Sequence, residues 1–314
     1  MRFAIVGAGA TGGYLGACLA RAGADVVLVA RGPHLAAMRE RGLTVREADG
    51  SSFTVQAECT DELGAAVGSA SVVFVTLKAH SLPAVAPALG TALRPGATAV
   101  FAQNGIPWWY AEGLQSVDPG GGIAASIAMN AVLGCVVYPA TALVEPGVVQ
   151  HVEGKRFSLG EPDGARSERA AAIGKALAEA GLKAPVQTRI RQEIWLKLLG
   201  NATFNPVSAL TRATLGQIGA APEARALVRA LMAEVYSVAA ALGVEVEIGI
   251  ERRMEAGFAV GEHKTSMLQD LEAGRPLEVD ALVGAVCELG DQLGLQLPHL
   301  RSVYALTKLL DRTR

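Results

Sequence analysis

The first 22 residues constrain the fold more than any other part of the chain. A short apolar run, Arg2 to Val6, leads directly into a glycine-rich loop, and a helical pattern over Gly13 to Ala22 follows it. A G-x-G-x-x-G loop between a strand and a helix is typical of dinucleotide-binding α/β folds, because its glycines allow a sharp turn, a close approach to pyrophosphate and tight helix packing. A glycine-rich turn with no ligand is the alternative. The predicted cofactor-binding loop residues are Gly7, Ala8, Gly9, Ala10, Thr11 and Gly12.

The second predicted strand indicates which dinucleotide binds. In NAD-binding folds an acidic side chain near the carboxyl end of this strand binds the ribose 2′-hydroxyl. Here the strand Val26 to Ala30 ends in Arg31, and Asp25 stands at its opposite end. A guanidinium pairs with a 2′-phosphate, whereas a carboxylate would repel it. The sequence therefore predicts NADP(H) as the cofactor, with a solvated surface arginine as the alternative for Arg31.

Hydrophobic patterning divides the chain into two parts. Up to about residue 188, apolar strands alternate with Ala/Leu-rich helical stretches, as in βαβ units with a mainly parallel sheet. The predicted strands are Arg2 to Val6, Val26 to Ala30, Val72 to Leu77, Thr98 to Ala102 and Ile123 to Met129. The predicted helices beyond residue 189 are Ala224 to Leu242, Thr265 to Ala273, Glu278 to Leu293 and His299 to Asp311. We therefore predict an α/β fold, with a Rossmann-type doubly wound sheet in residues 1–188 and an all-α substrate and catalytic domain in residues 189–314.

Composition and charge exclude several classes of protein. The chain has 28 Lys and Arg against 30 Asp and Glu, a net charge of −2, which is too balanced for a protein that mainly neutralises nucleic acid. The four cysteines stand without ligand spacing, so neither a metal site nor a disulfide framework is predicted. Residues 119–144 carry no charge, but glycines and a proline interrupt them, which favours short buried strands over a membrane span. A cytoplasmic setting is expected, and a homodimer formed through the helical domain stays open.

Polar residues follow two predicted strands at the edge where α/β sheets bind ligands. Lys78 follows Val72 to Leu77, and Asn104 comes shortly after Thr98 to Ala102. Each has an ordinary alternative, a solvated charge for Lys78 and a turn dipeptide for Asn104 with Gly105. Because both are predicted beside the nucleotide loop, we interpret them as candidate site residues.

A regular polar stripe interrupts the apolar segment that begins the helical part. Lys197, Asn201 and Asn205 are spaced by four, so they share one face of a helix, and Pro206 is expected to end or bend that helix at Asn205. An ammonium on so apolar a helix needs partners or a wet cleft. Hydride transfer to a ketone builds negative charge on oxygen, which an ammonium can stabilise and protonate. We therefore predict Lys197 as the general acid, with a structural polar network as the alternative.

Two further polar motifs open predicted helices. Ser266 with Gln269 three residues later fits a capping box, and Glu278 with Asp280 suits a helix dipole. The residues alone assign them no chemistry.

Taken together, these motifs resemble the ketopantoate reductase (2-dehydropantoate 2-reductase) family over nearly the whole chain. The resemblance is carried by the glycine loop, Lys78, Gln103-Asn104-Gly105, the Lys197/Asn201/Asn205-Pro206 helix, and Ser266 to Asp270 with Glu278. It implies an NADP-dependent oxidoreductase that reduces ketopantoate to pantoate on the route to pantothenate and coenzyme A.

The resemblance also implies roles for single residues. Arg31 reads the 2′-phosphate, Lys78 and Asn104 line the nicotinamide and substrate region, and Lys197 is the acid. Glu278 bonds the substrate hydroxyl or orients the lysine. The substrate's carboxylate and hydroxyl are then held by Asn201, Asn205 and Ser266.

Two departures keep other functions open. Thr214-Leu215-Gly216 stands where we expect another polar substrate contact, and the tandem Trp108-Trp109 follows Asn104 closely. Both favour a bulkier or more apolar 2-oxo acid as the alternative substrate. A non-enzymatic NADPH-binding redox sensor is the remaining alternative, and Lys197 argues against it because a sensor needs no proton donor.

Overall fold

The computed structural model describes residues 1–314, which form two compact units. One contains residues 1–103 and 121–190, and the other contains residues 104–120 and 191–314. Residues 104–120 thus group with the carboxyl-terminal part of the chain, although they lie inside the sequence range predicted for the amino-terminal domain.

The first unit is built on a seven-stranded sheet in the order β11-β8-β7-β6-β1-β2-β5. Its strands are β1 (Arg2–Val6), β2 (Asp25–Val29), β5 (Glu58–Thr60), β6 (Val72–Val75), β7 (Thr98–Phe101), β8 (Val132–Val137) and β11 (Phe157–Gly160). All neighbours pair in parallel except β11, which is antiparallel to β8. From β1, the next strands along the chain, β2 and β5, are added on one side, and the later strands β6, β7, β8 and β11 are added on the other. The strand order therefore reverses between β1 and β6. Ligands of doubly wound sheets bind outside the carboxyl ends of the strands at such a point.

A smaller four-stranded sheet, in the order β4-β3-β10-β9, completes this unit. Its strands are β3 (Leu43–Arg46), β4 (Ser52–Val55), β9 (Ala140–Glu145) and β10 (Val148–Glu153). The helices of the unit are α1 (Ala10–Arg21), α2 (Gly32–Arg41), α3 (Leu63–Ser69), α4 (Leu82–Ala92), α5 (Gly122–Ser126) and α6 (Glu168–Glu179). Helix α1 packs against both sheets through glycines: a Cβ at Gly16 would lie 2.4 Å from Leu28, and one at Gly13 would lie 3.0 Å from Val149.

Four of the five predicted strands are confirmed to within two residues at their ends. The fifth prediction, a strand over Ile123 to Met129, is wrong. Residues Gly122–Ser126 form α5, and the strand lies later, at Val132–Val137. The physical reason is composition, since the helix contains alanines and a serine, whereas the strand has three valines and is buried throughout.

The second unit is helical, as predicted. Its helices are α7 (Ile190–Asn201), α8 (Phe204–Thr211), α9 (Leu215–Ala220), α10 (Pro222–Ala241), α11 (Ile250–Phe258), α12 (Ser266–Glu272), α13 (Ala285–Gln292) and α14 (Pro298–Thr313). The helix predicted from Glu278 to Leu293 contains a π-helical segment, Asp280–Gly284, directly before α13. We call this segment the π turn.

The position of the break after α7 corrects the sequence prediction. Helix α7 ends at Asn201, and α8 begins at Phe204 after Ala202 and Thr203. Pro206 is the third residue of α8, in a first turn where its missing N–H costs no helical hydrogen bond. The proline therefore does not end the helix at Asn205. Lys197 and Asn201 share α7, whereas Asn205 belongs to α8.

The structure shows where the uncharged stretch and the four cysteines lie. Residues 119–144 are divided among α5, β8 and β9, and none of the chain's helices combines the length and apolarity needed to cross a bilayer. All four cysteines are free thiols, and burial raises the pKa of both Cys18 and Cys287 to about 11. These two thiols are therefore protonated and unreactive at neutral pH.

Gly12→Ala is expected to lower the free energy of unfolding by about 1–3 kcal/mol, because overpacking at a closed site costs that much. The added Cβ would lie 2.3 Å from the Thr76 hydroxyl and 2.4 Å from the backbone oxygen of Gly7. Urea unfolding measures the change. Gly64→Ala in α3 is the control, since no atom lies within 4 Å of its Cβ position and alanine favours helix. Equal stability of the two variants would contradict the packing role of Gly12.

Candidate active site

The glycine loop turns sharply at the carboxyl end of β1. Gly7 has a φ of +96°, a conformation that favours glycine. The backbone N–H groups of Gly7 and Ala8 donate to the carbonyl of Val29 at 3.2 and 2.9 Å, which ties the loop to the end of β2. The turn is therefore fixed by the sheet itself.

The other two glycines of the loop have different surroundings. A Cβ at Gly12 would collide with Thr76 and with the oxygen of Gly7, whereas a Cβ at Gly9 would meet no protein atom nearer than 4.0 Å. Gly9 is also the N-cap of α1, and neither a capping side chain nor an acidic residue occupies that first turn. The loop is thus open on the side where the helix N-terminus presents its N–H groups, an arrangement that suits an anion.

Two strand ends beside the loop are tied to it. The Thr76 hydroxyl donates to the carbonyl of Gly7 at 2.8 Å, and a Cβ at Gly7 would lie 2.9 Å from the Leu77 side chain. The amide of Gln103, after β7, donates to the carbonyls of Val75 and Leu77 at 2.9 and 3.1 Å. Lys78 follows Leu77 directly and is half-buried. The sheet thus places Lys78 at the point where the strand order reverses.

Arg31 lies at the carboxyl end of β2, as predicted, and serves as the N-cap residue of α2. Its side chain is exposed, and the first turn of α2 contains no acidic residue. Asp25 is at the far end of the strand and pairs with Arg2 at 2.8 Å. Arg31 thus presents a guanidinium at the carboxyl end of β2.

His34 is a residue beside the loop that sequence reasoning missed. One ring nitrogen lies 2.7 Å from the carbonyl of Ala8, and the other accepts the N–H of Gly147 at 2.9 Å. The imidazole thus braces the glycine loop against the turn between β9 and β10. A single histidine in α2 carries no local signal for this role, because both partners are distant in sequence.

In the second unit, Lys197 and Asn104 are brought together. Lys197, half-buried on α7, donates from Nζ to Oδ1 of Asn104 at 2.5 Å. The two residues are 93 positions apart in the chain. Sequence reasoning predicted both as site residues but placed Asn104 in the amino-terminal domain, whereas its contacts belong to the helical unit.

Aromatic and basic side chains of α7 hold the segment that carries Asn104. The indole N–H of Trp195 donates to the hydroxyl of Tyr110 at 2.7 Å, and the two rings meet edge to face. Arg191 donates to the carbonyl of Tyr110 at 2.7 Å, and its guanidinium lies over that ring. Farther on, the carboxylate of Glu288 accepts from residues 115 and 116. The segment 104–120 is therefore fixed along its length.

The predicted substrate-binding residues form a second pair, and they require one correction. Asn205 is 5 % exposed and donates from Nδ2 to the Ser266 hydroxyl at 3.4 Å. Ser266 is the first residue of α12 rather than its cap, because Thr265 is the N-cap and accepts the N–H of Leu268. The capping-box interpretation of Ser266 with Gln269 is therefore wrong. Asn201 lies at the end of α7, one turn beyond Lys197.

Glu278 precedes the π turn and is half-buried. Its carbonyl accepts the N–H of Leu282 at 3.2 Å. Asp280, which suited a helix dipole on sequence grounds, instead accepts from Tyr304 and Lys308 of α14 at 2.6 and 2.7 Å.

The residues that favoured a bulkier substrate are all buried. Trp108 and Trp109 are each 5 % exposed, so neither ring presents a large surface to solvent. Leu215 is 7 % exposed and opens α9, behind a capping box formed by Thr214 and Gln217. Leu215 thus has a packing role, whereas the indole N–H of Trp109 is buried without a hydrogen-bond partner.

Comparison with known proteins gives matches over both parts of the chain. The family model for ketopantoate reductase PanE/ApbA matches residues 3–164, and the model for the carboxyl-terminal part of the same family matches residues 189–311. A 2-dehydropantoate 2-reductase from Mesorhizobium japonicum is 47 % identical over 99 % of this chain and 98 % of its own. One from Archaeoglobus fulgidus is 31 % identical over 98 % and 97 % of the two chains.

A solved structure gives the same result for the fold. The crystal structure of a PanE/ApbA family ketopantoate reductase from Ralstonia eutropha superposes with a TM-score of 0.88 at 28 % identity, covering 100 % of this chain and 99 % of that one. Both parts of the sequence and the whole fold are therefore matched together. The chain belongs to the ketopantoate reductase family.

Proposed function

We propose that the protein reduces ketopantoate to pantoate, with NADPH as hydride donor and Lys197 as general acid. The observation that carries the proposal is the 2.5 Å hydrogen bond from the Lys197 ammonium to Asn104, made on a helix with no exposed residue. Relatives at 47 % and 31 % identity that carry the 2-dehydropantoate 2-reductase name support the choice of substrate.

The residues of the first unit fit a dinucleotide. The uncapped N-terminus of α1 and the open face at Gly9 would receive the pyrophosphate. Arg31 would pair with the 2′-phosphate, since it makes no ion pair within the chain, and Lys78 would face the nicotinamide region. Gly7, Ala8, Ala10, Thr11 and Gly12 complete the loop. When bound, NADPH supplies a hydride to the carbonyl carbon of the substrate.

Lys197 acts on the oxygen of the same carbonyl group, which it stabilises and then protonates. As the carbon accepts the hydride pair, the C=O π electrons move onto oxygen, and an ammonium there stabilises the developing alkoxide. The ammonium then gives up one proton, which yields the hydroxyl of pantoate and a neutral amine that solvent reprotonates. Asn104 fixes the direction of the ammonium, because its amide oxygen accepts one of the three N–H donors.

The second pair would hold the rest of the substrate. With its oxygen accepting from Asn205, the Ser266 hydroxyl keeps its own hydrogen to donate to a carboxylate or hydroxyl. Asn201, one turn from Lys197, offers a further amide. Glu278 would accept from the substrate hydroxyl or orient the lysine. Hydrogen bonding to a hydroxylated 2-oxo acid thus favours ketopantoate over a larger apolar substrate.

A direct assay tests the reaction. Purified protein is mixed with NADPH and, in separate runs, ketopantoate, pyruvate, 2-oxoisovalerate and phenylpyruvate, and loss of NADPH absorbance is followed. We expect the highest kcat/KM with ketopantoate. A higher value with phenylpyruvate would favour the bulkier substrate, and NADPH binding without turnover of any acid would favour the sensor.

Lys197→Ala is expected to lower kcat by about 10² or more, the usual scale for loss of a general acid. NADPH binding, measured by fluorescence titration, should change little, because the residues proposed to hold most of NADPH lie in the other unit. Lys175→Ala is the matched control, an exposed lysine of α6 paired with Glu179. A kcat near that of the control would remove Lys197 from the mechanism.

Arg31→Ala is expected to raise the Kd for NADPH about 10- to 100-fold, as loss of a charge-assisted phosphate pair implies, and to leave the Kd for NADH nearly unchanged. The control is Arg39→Ala on the same helix, whose guanidinium already pairs with Asp61 at 3.2 Å. Titrating both cofactors into both variants separates the outcomes. An equal loss for NADPH and NADH would contradict a role in reading the 2′-phosphate.

Gly9→Ala should weaken NADPH binding by about tenfold or more, because the new methyl group would occupy the face where the pyrophosphate approaches. Its stability to heat should stay near that of the wild type, since no protein atom lies within 4.0 Å of that position. Titration and thermal unfolding measure the two quantities. Unchanged NADPH affinity would place the pyrophosphate elsewhere.

A further inference from the structure

The π turn releases one backbone carbonyl from the helix. The N–H of Ala285, the first residue of α13, donates to the carbonyl of Asp280, five residues back, and ordinary α-helical pairing then resumes. A change from five-residue to four-residue pairing skips one carbonyl. The carbonyl of Ala281 accepts instead from the backbone N–H of Ile106 at 2.9 Å.

Gly105 brings the Asn104 segment against this carbonyl. It has a φ of +86°, and a Cβ there would lie 2.3 Å from the oxygen and 2.6 Å from the carbon of the Ala281 carbonyl. Both neighbours are backbone atoms that cannot rotate away. Any residue with a side chain at position 105 would therefore push the segment off the π turn.

The π turn is itself held from its other side by α14. Tyr304 and Lys308 donate to the two carboxylate oxygens of Asp280. Burial, together with the hydrogen bond to Asp280, raises the pKa of Tyr304, so its hydroxyl stays a donor at all ordinary pH values. A Cβ at Gly284 would lie 3.0 Å from the Tyr304 ring, which shows how closely α14 packs there. The anchor for Ile106 is thus a fixed one.

We propose that the contact of Gly105 and Ile106 with the π turn is a positioning device for the general acid. Asn104, which accepts from Lys197, is the residue before Gly105, and Glu278 is two residues before the π turn. This backbone contact therefore places Asn104 against the segment that carries Glu278, and Gly105 is a positioning residue. The inference rests on the proposed function, because it concerns the lysine of that reaction.

Gly105→Ala tests the device, with Gly113→Ala as the matched control. Gly113 lies in the same segment at a φ of +78°, but no atom lies within 4 Å of its Cβ position, so the control carries the same backbone strain without the collision. We expect kcat to fall about tenfold or more in Gly105→Ala only, since small displacements of catalytic groups have effects of this size. The Kd for NADPH should change by no more than about threefold, because the substitution is expected to disturb the chemical step and not the binding of the cofactor.

Hydrogen exchange on the protein without cofactor gives a readout independent of activity. The Ile106 amide, bonded to Ala281, should be protected in the wild type and in Gly113→Ala, and should exchange faster in Gly105→Ala. Lost protection with wild-type kcat would overturn the positioning role, as would an equal loss of kcat in Gly113→Ala. An inactive wild type with a protected Ile106 would instead mean that the proposed function had failed.

Tyr304→Phe keeps the test decisive if Gly105→Ala does not fold. It removes the hydroxyl that holds Asp280 but changes no side chain of the Lys197 and Asn104 pair. We expect a kcat reduced by about two- to fivefold with an unchanged Kd for NADPH, the mark of a lost transition-state interaction. A wild-type kcat in this variant would then overturn the proposal.

Discussion

The hydrogen bond from Lys197 to Asn104 joins the two sequence segments that make up the second unit. Lys197 lies on α7, a helix with no exposed residue, and its acceptor Asn104 lies in a segment 93 residues earlier in the chain. That segment must then leave the run of strands and dock on the helices, which it does through Arg191, Trp195 and the π turn. These contacts agree with the grouping of residues 104–120 with residues 191–314.

Locally encoded features could be predicted from the sequence. The glycine loop, its flanking strand and its helix depend on neighbouring residues, and Arg31 falls at the end of β2 because strand length and spacing are regular. Short apolar runs marked four strands, and apolar spacing marked the helices of the second unit. The four-residue spacing predicted that Lys197 and Asn201 share a helix, and both lie on α7.

The features that could not be predicted depend on partners distant in sequence. Asn205 lies on a separate helix because the helical structure is interrupted at Ala202 and Thr203. A proline in the sequence does not show whether it ends one helix or begins the next. The docking of Asn104, the brace at His34 and the π turn all need partners dozens of residues away. No local pattern encodes such contacts, so they become visible only in the folded chain.

The packing of the aromatic side chains bears on how a substrate could be selected. Trp108, Trp109 and Leu215, the residues that suggested a bulky substrate, are all buried in the structure. Selection in the proposed site then depends on polar groups, among them Asn205 and Ser266. An apolar pocket separates substrates that differ by one methylene only weakly, whereas a site built to bond a hydroxyl rejects analogues without it strongly, because its polar groups are left unpaired. A site of this kind gains its discrimination from hydrogen bonds, and those depend on the helices α8 and α12 that pack together to form the Asn205 and Ser266 pair.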